Sequence, residues 1–343
     1  MTKIKKKLLL GVGISLLFII GITLYTIDTS TWNTLNNLNI NYLLLIVLAT
    51  ISAWTLNGLK LKVLAAGVKV KLPIFTAVEL GLVDRFFSNI TPSGIGGQPA
   101  KIIALTNCNI SSGKASAIVV VELMLRLLFF AFCLPFIFIK IHSLLVSTVN
   151  IGILYFTVPL LIATLAVVIY LLLYKPRYLV KIFFGILNLS LVSKLLSSKK
   201  IFSAKKIIAK EIKEFYQTLW IYLKEGSLEL ITGIFITALL WLVRFTILYF
   251  VIKGFNLKVD FGFIILIQLI IYTAVLFIPI PGGSGVEVIL ASLLHKTLPV
   301  PLIGIVVASW RFFTYYVYII FGSIVTFRVF HLKTDEDIMQ DDY

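Results

Sequence analysis

The chain has 343 residues, of which 59% are hydrophobic and only 13% charged, with a mean hydropathy of +1.04. A soluble domain carries roughly a quarter charged residues, so a water-soluble globule is excluded and an all-α polytopic membrane protein is expected. The net charge of +16 does not argue for nucleic acid, because basic excess in a membrane chain marks loops that face anionic lipid.

Lys3, Lys5, Lys6 and Lys7 precede an apolar run from Leu8 to Ile27. No small-x-small cleavage site follows, so the run is read as a retained first span rather than a signal peptide. Further apolar stretches at 42–59, 115–139, 152–174, 229–252 and 300–327 approach the ~20 residues a spanning helix needs. Two more, 74–90 and 261–280, each run into a Gly/Pro-rich break.

Lysine placement sets the orientation. The N-terminal lysines face the cytoplasm, and the loop Asp28 to Asn41, without Lys or Arg, faces outside. Lys60, Lys62, Lys69 and Lys71 mark the next loop as inside. The segment 175–228 holds eleven Lys or Arg against three acids and should also be cytoplasmic. If 74–90 crossed fully, that basic segment would end up outside. The expectation is therefore six full spans and two re-entrant helical hairpins, 74–98 and 261–298, entering from opposite faces. In that arrangement Lys101 and Lys114 lie inside, the loop 140–151 lies outside, and both termini are cytoplasmic. The whole chain, 1–343, reads as one integral membrane domain with an acidic tail at 334–343. Within it, 199–225 carries apolar residues at helical spacing with lysines between. It suits either a helix on the cytoplasmic membrane surface or one packed under the bundle.

The first break reads Asn89-Ile90-Thr91-Pro92-Ser93-Gly94-Ile95-Gly96-Gly97-Gln98-Pro99, and the second Pro279-Ile280-Pro281-Gly282-Gly283-Ser284-Gly285-Val286-Glu287. Proline removes a donor and glycine permits left-handed backbone, so neither helix can continue. Irregular backbone at membrane depth survives only when it is buried in protein or lines a polar cavity. Each break leads to a return helix and then to a span bearing an arginine, Arg126 or Arg311. This is a weak internal repeat of inverted topology, an arrangement that builds substrate sites near the midplane. No Gly-Lys-Ser/Thr follows either glycine cluster, so a nucleotide loop is not expected.

Four of the six arginines, Arg85, Arg126, Arg244 and Arg311, lie inside these apolar segments. A charge at the bilayer centre costs ~3 kcal/mol on insertion scales, and arginine is the cation suited to a planar grip on phosphate. The intramembrane acids are Glu79, Asp84, Glu122 and Glu287, which could pair with the arginines or carry a proton. Glu122 and Arg126, at i and i+4, share a helix face. Asp84 and Arg85 point apart, so each needs another partner. Arg311 has Tyr315 and Tyr318 on its face, and Trp241, one turn from Arg244, suits an interface anchor. Cys108 and Cys133 give no disulfide framework, and His142, His295 and His331 lack metal-ligand spacing. No metal, cofactor or catalytic constellation is expected.

At these residues the chain resembles the membrane region of lysylphosphatidylglycerol synthases, a lipid-flippase domain that also occurs alone. The matching features are Asn89, Pro92, Gly94, Gly96, Gly97, Lys101 and the Glu122/Arg126 span, then Pro279, Pro281, Gly282, Gly283, Gly285, Glu287, Arg311, Tyr315 and Gly322. Gln98 stands where the family often has an acid, and Glu287 falls one residue early. The resemblance implies transbilayer movement of a phospholipid in a bacterial cell membrane, with a link to cationic peptide resistance. It also implies a substrate site at Arg85, Arg126, Arg311, Asn89, Gly94, Gly96, Gly97, Gly282, Gly283, Gly285 and Tyr315. Bifunctional relatives add a soluble domain that transfers lysine from tRNA. The chain stops at Tyr343 and 175–228 is too short for that fold, so transferase chemistry is not expected. The rival readings are a phosphatidylglycerol lysyltransferase or a membrane subunit of one. Partners would be phospholipid, a second copy of the chain, or a separate envelope enzyme.

Overall fold

The computed structural model describes residues 3–26, 28, 31, 38–91, 94–145, 163, 198–275, 285–295 and 297–340. The span expected at 152–174, the segment 175–197, Pro92, Ser93, Gly282 and Gly283 lie outside the described residues. Every regular element among the described residues is helical. In chain order these are α1 (Lys3–Thr26), α2 (Ile40–Gly67), α3 (Ile74–Ile90), α4 (Gly97–Thr106), α5 (Ser112–Leu145), α6 (Ser198–Lys224), α7 (Ser227–Gly254), α8 (Phe261–Val275), α9 (Val286–Leu294) and α10 (Val300–Arg311). A five-residue π-helical turn (Phe312–Tyr316) then leads into α11 (Val317–Gln340).

Four stretches are long and apolar enough to cross a bilayer: Ile40–Gly67, Ser112–Cys133, Ser227–Gly254 and Val300–Phe330. They fall on four of the six expected spans, and α1 covers a fifth as a 24-residue helix. Leu44, Leu48, Phe235, Leu239 and Ile324 are exposed. Such an apolar surface would be an aggregation liability in water and is what lipid contact requires. Pro73 and Pro299 stand just before α3 and α10, where a missing N–H costs nothing.

The chain divides into two compact units: 1–62, 72–104 and 235–343 form the first, and 63–71 with 105–234 the second. In the first unit, α3 is gripped through glycines on two neighbours. A Cβ at Gly58 of α2 would meet the Val78 backbone N at 2.8 Å, and one at Gly322 of α11 would meet Phe86 Cβ at 2.8 Å. Small residues let helices approach closely in membranes, where lipid gives apolar surfaces no reason to hide. The second hairpin sits in an apolar core: Ile264, Ile267 and Ile271 of α8 and Val286, Leu290 and Leu294 of α9 pack with Val306, Val307 and Trp310 of α10.

In the second unit, α6 packs along α5. Thr218, Leu219 and Tyr222 are buried while Trp220 and Leu223 face out. Glu211 accepts a hydrogen bond from the Gly113 N–H in the first turn of α5, where an acid suits the helix dipole. The Tyr222 hydroxyl donates to Leu64 O. Burial, reinforced by the charges of Glu122 and Glu229, pushes this phenol up from its ordinary value. It therefore stays a neutral donor.

Candidate functional site

At the first break α3 ends at Ile90 and α4 starts at Gly97; at the second, 276–284 lie outside the described residues and α9 starts after Gly285. After α3, Thr91 is extended, its hydroxyl donating to Phe87 O (2.7 Å) and accepting from Gly96 N (2.9 Å). Gly94 is left-handed at φ +68°, the conformation that favours glycine. At Gly97 a Cβ would run into Ser88 Oγ and Asp84 Oδ1. The bare backbone is what lets α4 lie back on α3. That contact brings Lys101 Nζ to 3.1 Å from Asp84 Oδ2, with both side chains buried. Lys60 is also buried, within α2, so the loop charges left between α2 and α3 are Lys69 and Lys71, with Lys62 exposed near the end of α2.

The second turn is closed differently. Gly285 has φ +98°, and its N–H donates to Glu287 Oε2 at 2.8 Å. The other oxygen, Oε1, takes Arg311 Nε at 2.8 Å. Glu287 is fully buried and Arg311 nearly so. The guanidinium also stacks 4.1 Å above the Tyr315 ring. Tyr315 sits in the π-helical turn, an irregularity frequent at functional sites. Its hydroxyl donates to Asn89 O (3.2 Å), and Asn89 Nδ2 donates to Tyr315 O (3.4 Å). A continuous polar path thus runs from the end of α3 through Tyr315, Arg311 and Glu287 to Gly285, joining the two hairpins.

A third cluster surrounds Arg244 on α7. Arg244 is 6% exposed, with its guanidinium 5.0 Å from the Trp241 ring. Trp241 is buried against Tyr272, at 4.9 Å between centroids, and is no interface anchor. Arg85, on α3, is half-buried. Arg244 also lines a crevice too narrow to hold a water molecule, with Ala53, Trp54, Asn57, Val78, Gly81, Leu82 and Tyr318.

The sequence between residues 8 and 322 matches the family described as lysylphosphatidylglycerol synthase TM region. The chain belongs to that family. A similar curated protein is the UPF0104 membrane protein of Archaeoglobus fulgidus, 25% identical over 324 residues, covering 92% of this chain and 95% of that one. Both hairpins, the π-helical turn and Arg244 fall within the matched range of the lysylphosphatidylglycerol synthase family.

The structure gathers Asn89, Gly285, Glu287, Arg311 and Tyr315 into one network. It brings Asp84 and Gly97 together with Lys101. Gly94 and Gly96 shape the first turn. Arg126 and the buried Glu122 belong to the second unit. Glu79 meets Arg328 at 3.3 Å on a partly exposed edge. Sequence reasoning did not place Trp54 and Asn57 beside Arg244. A partial signal was present: Trp54, Asn57 and Lys60 recur every third residue of α2.

Proposed function

We propose that this protein moves an anionic or aminoacylated phospholipid, or a lipid carrier, between the leaflets of a bacterial cell membrane. One observation carries the reading. Among the described residues of the first unit, the cations Lys60, Lys101, Arg244 and Arg311 and the carboxylates Asp84 and Glu287 are buried. Charge buried at membrane depth is costly and by default marks a functional site. The two broken hairpins support the same reading, because they place irregular, polar backbone among apolar helices. Six spans with the hairpins re-entering from opposite faces, and both termini cytoplasmic, complete the proposed topology.

In this scheme Arg85, Arg126 and Arg311 contact the phosphate along its route, with the glycine turns and Tyr315 lining it. Glu79, Asp84, Glu122 and Glu287 balance charge or carry a proton, and the lipid passes as the two repeats rock. Arg126→Ala or Arg311→Ala should abolish translocation of fluorescent phosphatidylglycerol in reconstituted vesicles while expression persists. Unchanged translocation in both variants would refute the arginine route.

The family description favours one rival, a phosphatidylglycerol lysyltransferase or a membrane subunit of one. Lysyl-phosphatidylglycerol appearing in a host that lacks any other synthase would establish it.

A further inference from the structure

The π-helical turn lies within one long apolar stretch, Val300–Phe330. The Phe312 N–H is shared between Ala308 O and Ser309 O, and the Val317 N–H reaches back five residues to Phe312 O. Such a turn is an α-helix carrying one surplus residue, a rare form that recurs at functional sites. The Thr314 hydroxyl supports it by donating to Trp310 O at 2.8 Å.

The two sides of the turn are held unequally. Arg311, just before it, is fixed: Nε lies 2.8 Å from Glu287 Oε1, and both residues are buried. Tyr315, inside it, is held to α3 by two longer bonds of 3.2 and 3.4 Å, both with the half-buried Asn89. Beyond the turn, Gly322 sits close against Phe86 and Leu82 O of α3. Arg311 and Gly322 are thus two fixed points with a surplus residue between them. Each α-helical residue turns the chain about 100° and raises it about 1.5 Å. Moving the surplus past Tyr315 and Tyr318 therefore turns those two side chains by about 100° and leaves both fixed points in place. The half-buried Thr314 and Val317 then point where the two buried tyrosines pointed. Phe312 and Ile320, at the two ends of this path, are about half exposed and belong to no core.

We propose that the π-helical turn is a movable register latch between the two hairpins. At 312–316 it presents Tyr315 to Asn89, so the helix that holds Glu287 of the second hairpin also holds the last turn of α3 in the first. Displaced toward α11, it takes Tyr315 off Asn89 and frees that last turn, while the Glu287–Arg311 pair stays closed. The latch is a property of the chain alone and goes beyond the transport reading, since it asks nothing of the molecule transported.

The test uses the full chain in phosphatidylcholine nanodiscs and reads hydrogen–deuterium exchange over the last turn of α3. Two single-residue deletions set the register. Deleting Phe312 removes the surplus at the turn itself, so a plain α-helix keeps Tyr315 on Asn89. Deleting Ile320 removes it beyond Tyr318, so a plain α-helix turns Tyr315 away and leaves Gly322 on Phe86. Both chains should fold, with Phe312→Ala and Ile320→Ala as controls for the lost side chains. Exchange should stay at or below the wild-type rate after deletion of Phe312. It should rise about fivefold or more after deletion of Ile320, the scale of one lost hydrogen bond. Tyr315→Phe should speed exchange in the wild type and in the Phe312-deleted chain, and add nothing in the Ile320-deleted chain. A Phe312-deleted chain that fails to fold where Phe312→Ala folds overturns the surplus residue. An Ile320-deleted chain that fails to fold where Ile320→Ala folds overturns the movable register. Wild-type exchange in a folded Ile320-deleted chain, or a full response to Tyr315→Phe there, overturns the latch. No transported lipid enters the measurement, so its outcome stands apart from that of the translocation assay.

Discussion

The two broken hairpins solve the same problem with different partners. The first is closed within itself: Asp84 on its outgoing arm meets Lys101 on its return arm. The second is closed onto the neighbouring helix α10: Glu287 on its return arm meets Arg311 there, and Arg311 leans on Tyr315. A repeat in sequence pattern is therefore not a repeat in chemistry. The first hairpin is a self-contained clamp. The second is tied to the π-helical turn, and through Tyr315 and Asn89 to the first.

That difference can be broken in graded steps. Lys101→Met should cost most, about 3–5 kcal/mol, because it strands the Asp84 charge in a buried site with its partner gone. Reversible SDS unfolding in mixed micelles would measure it, and adding Asp84→Asn should recover much of the loss. Glu287→Gln should cost less, about 2–3 kcal/mol, since the Tyr315 ring still gives Arg311 about 1 kcal/mol of cation–π attraction. If this variant proves as costly as K101M in the same assay, the Tyr315 stack contributes nothing. Arg328→Gln should change stability least, by about 0–1 kcal/mol, because its pair with Glu79 lies at an open edge with the arginine 66% exposed. A larger effect would place that edge in drier surroundings than its exposure indicates.

The spans at 42–59, 115–139, 229–252 and 300–327 were legible because a long apolar run has few folded alternatives to a membrane helix. The end of α3 at the first break was legible because proline and glycine act locally. Pairing was not legible, because it depends on which backbones touch. Nothing in the local sequence of Lys101 shows that Gly97 lets its helix fold back and bury it against Asp84. Glu287 and Arg311 are 24 positions apart and meet only because α9 packs on α10. Arg244 lay in plain view, but that it meets no carboxylate among the described residues is a property of three dimensions. The division into two units was equally hidden, because three of its four boundaries cut through α2, α4 and α7 rather than through loops.

The glycine grips on α3 have a mechanical consequence. With Gly58 pressed on the Val78 backbone and Gly322 on Phe86 and Leu82, α2, α3 and α11 have no slack to slide apart and act as a single wedge. Three walls of the crevice beside Arg244 belong to that wedge, and the fourth is α7.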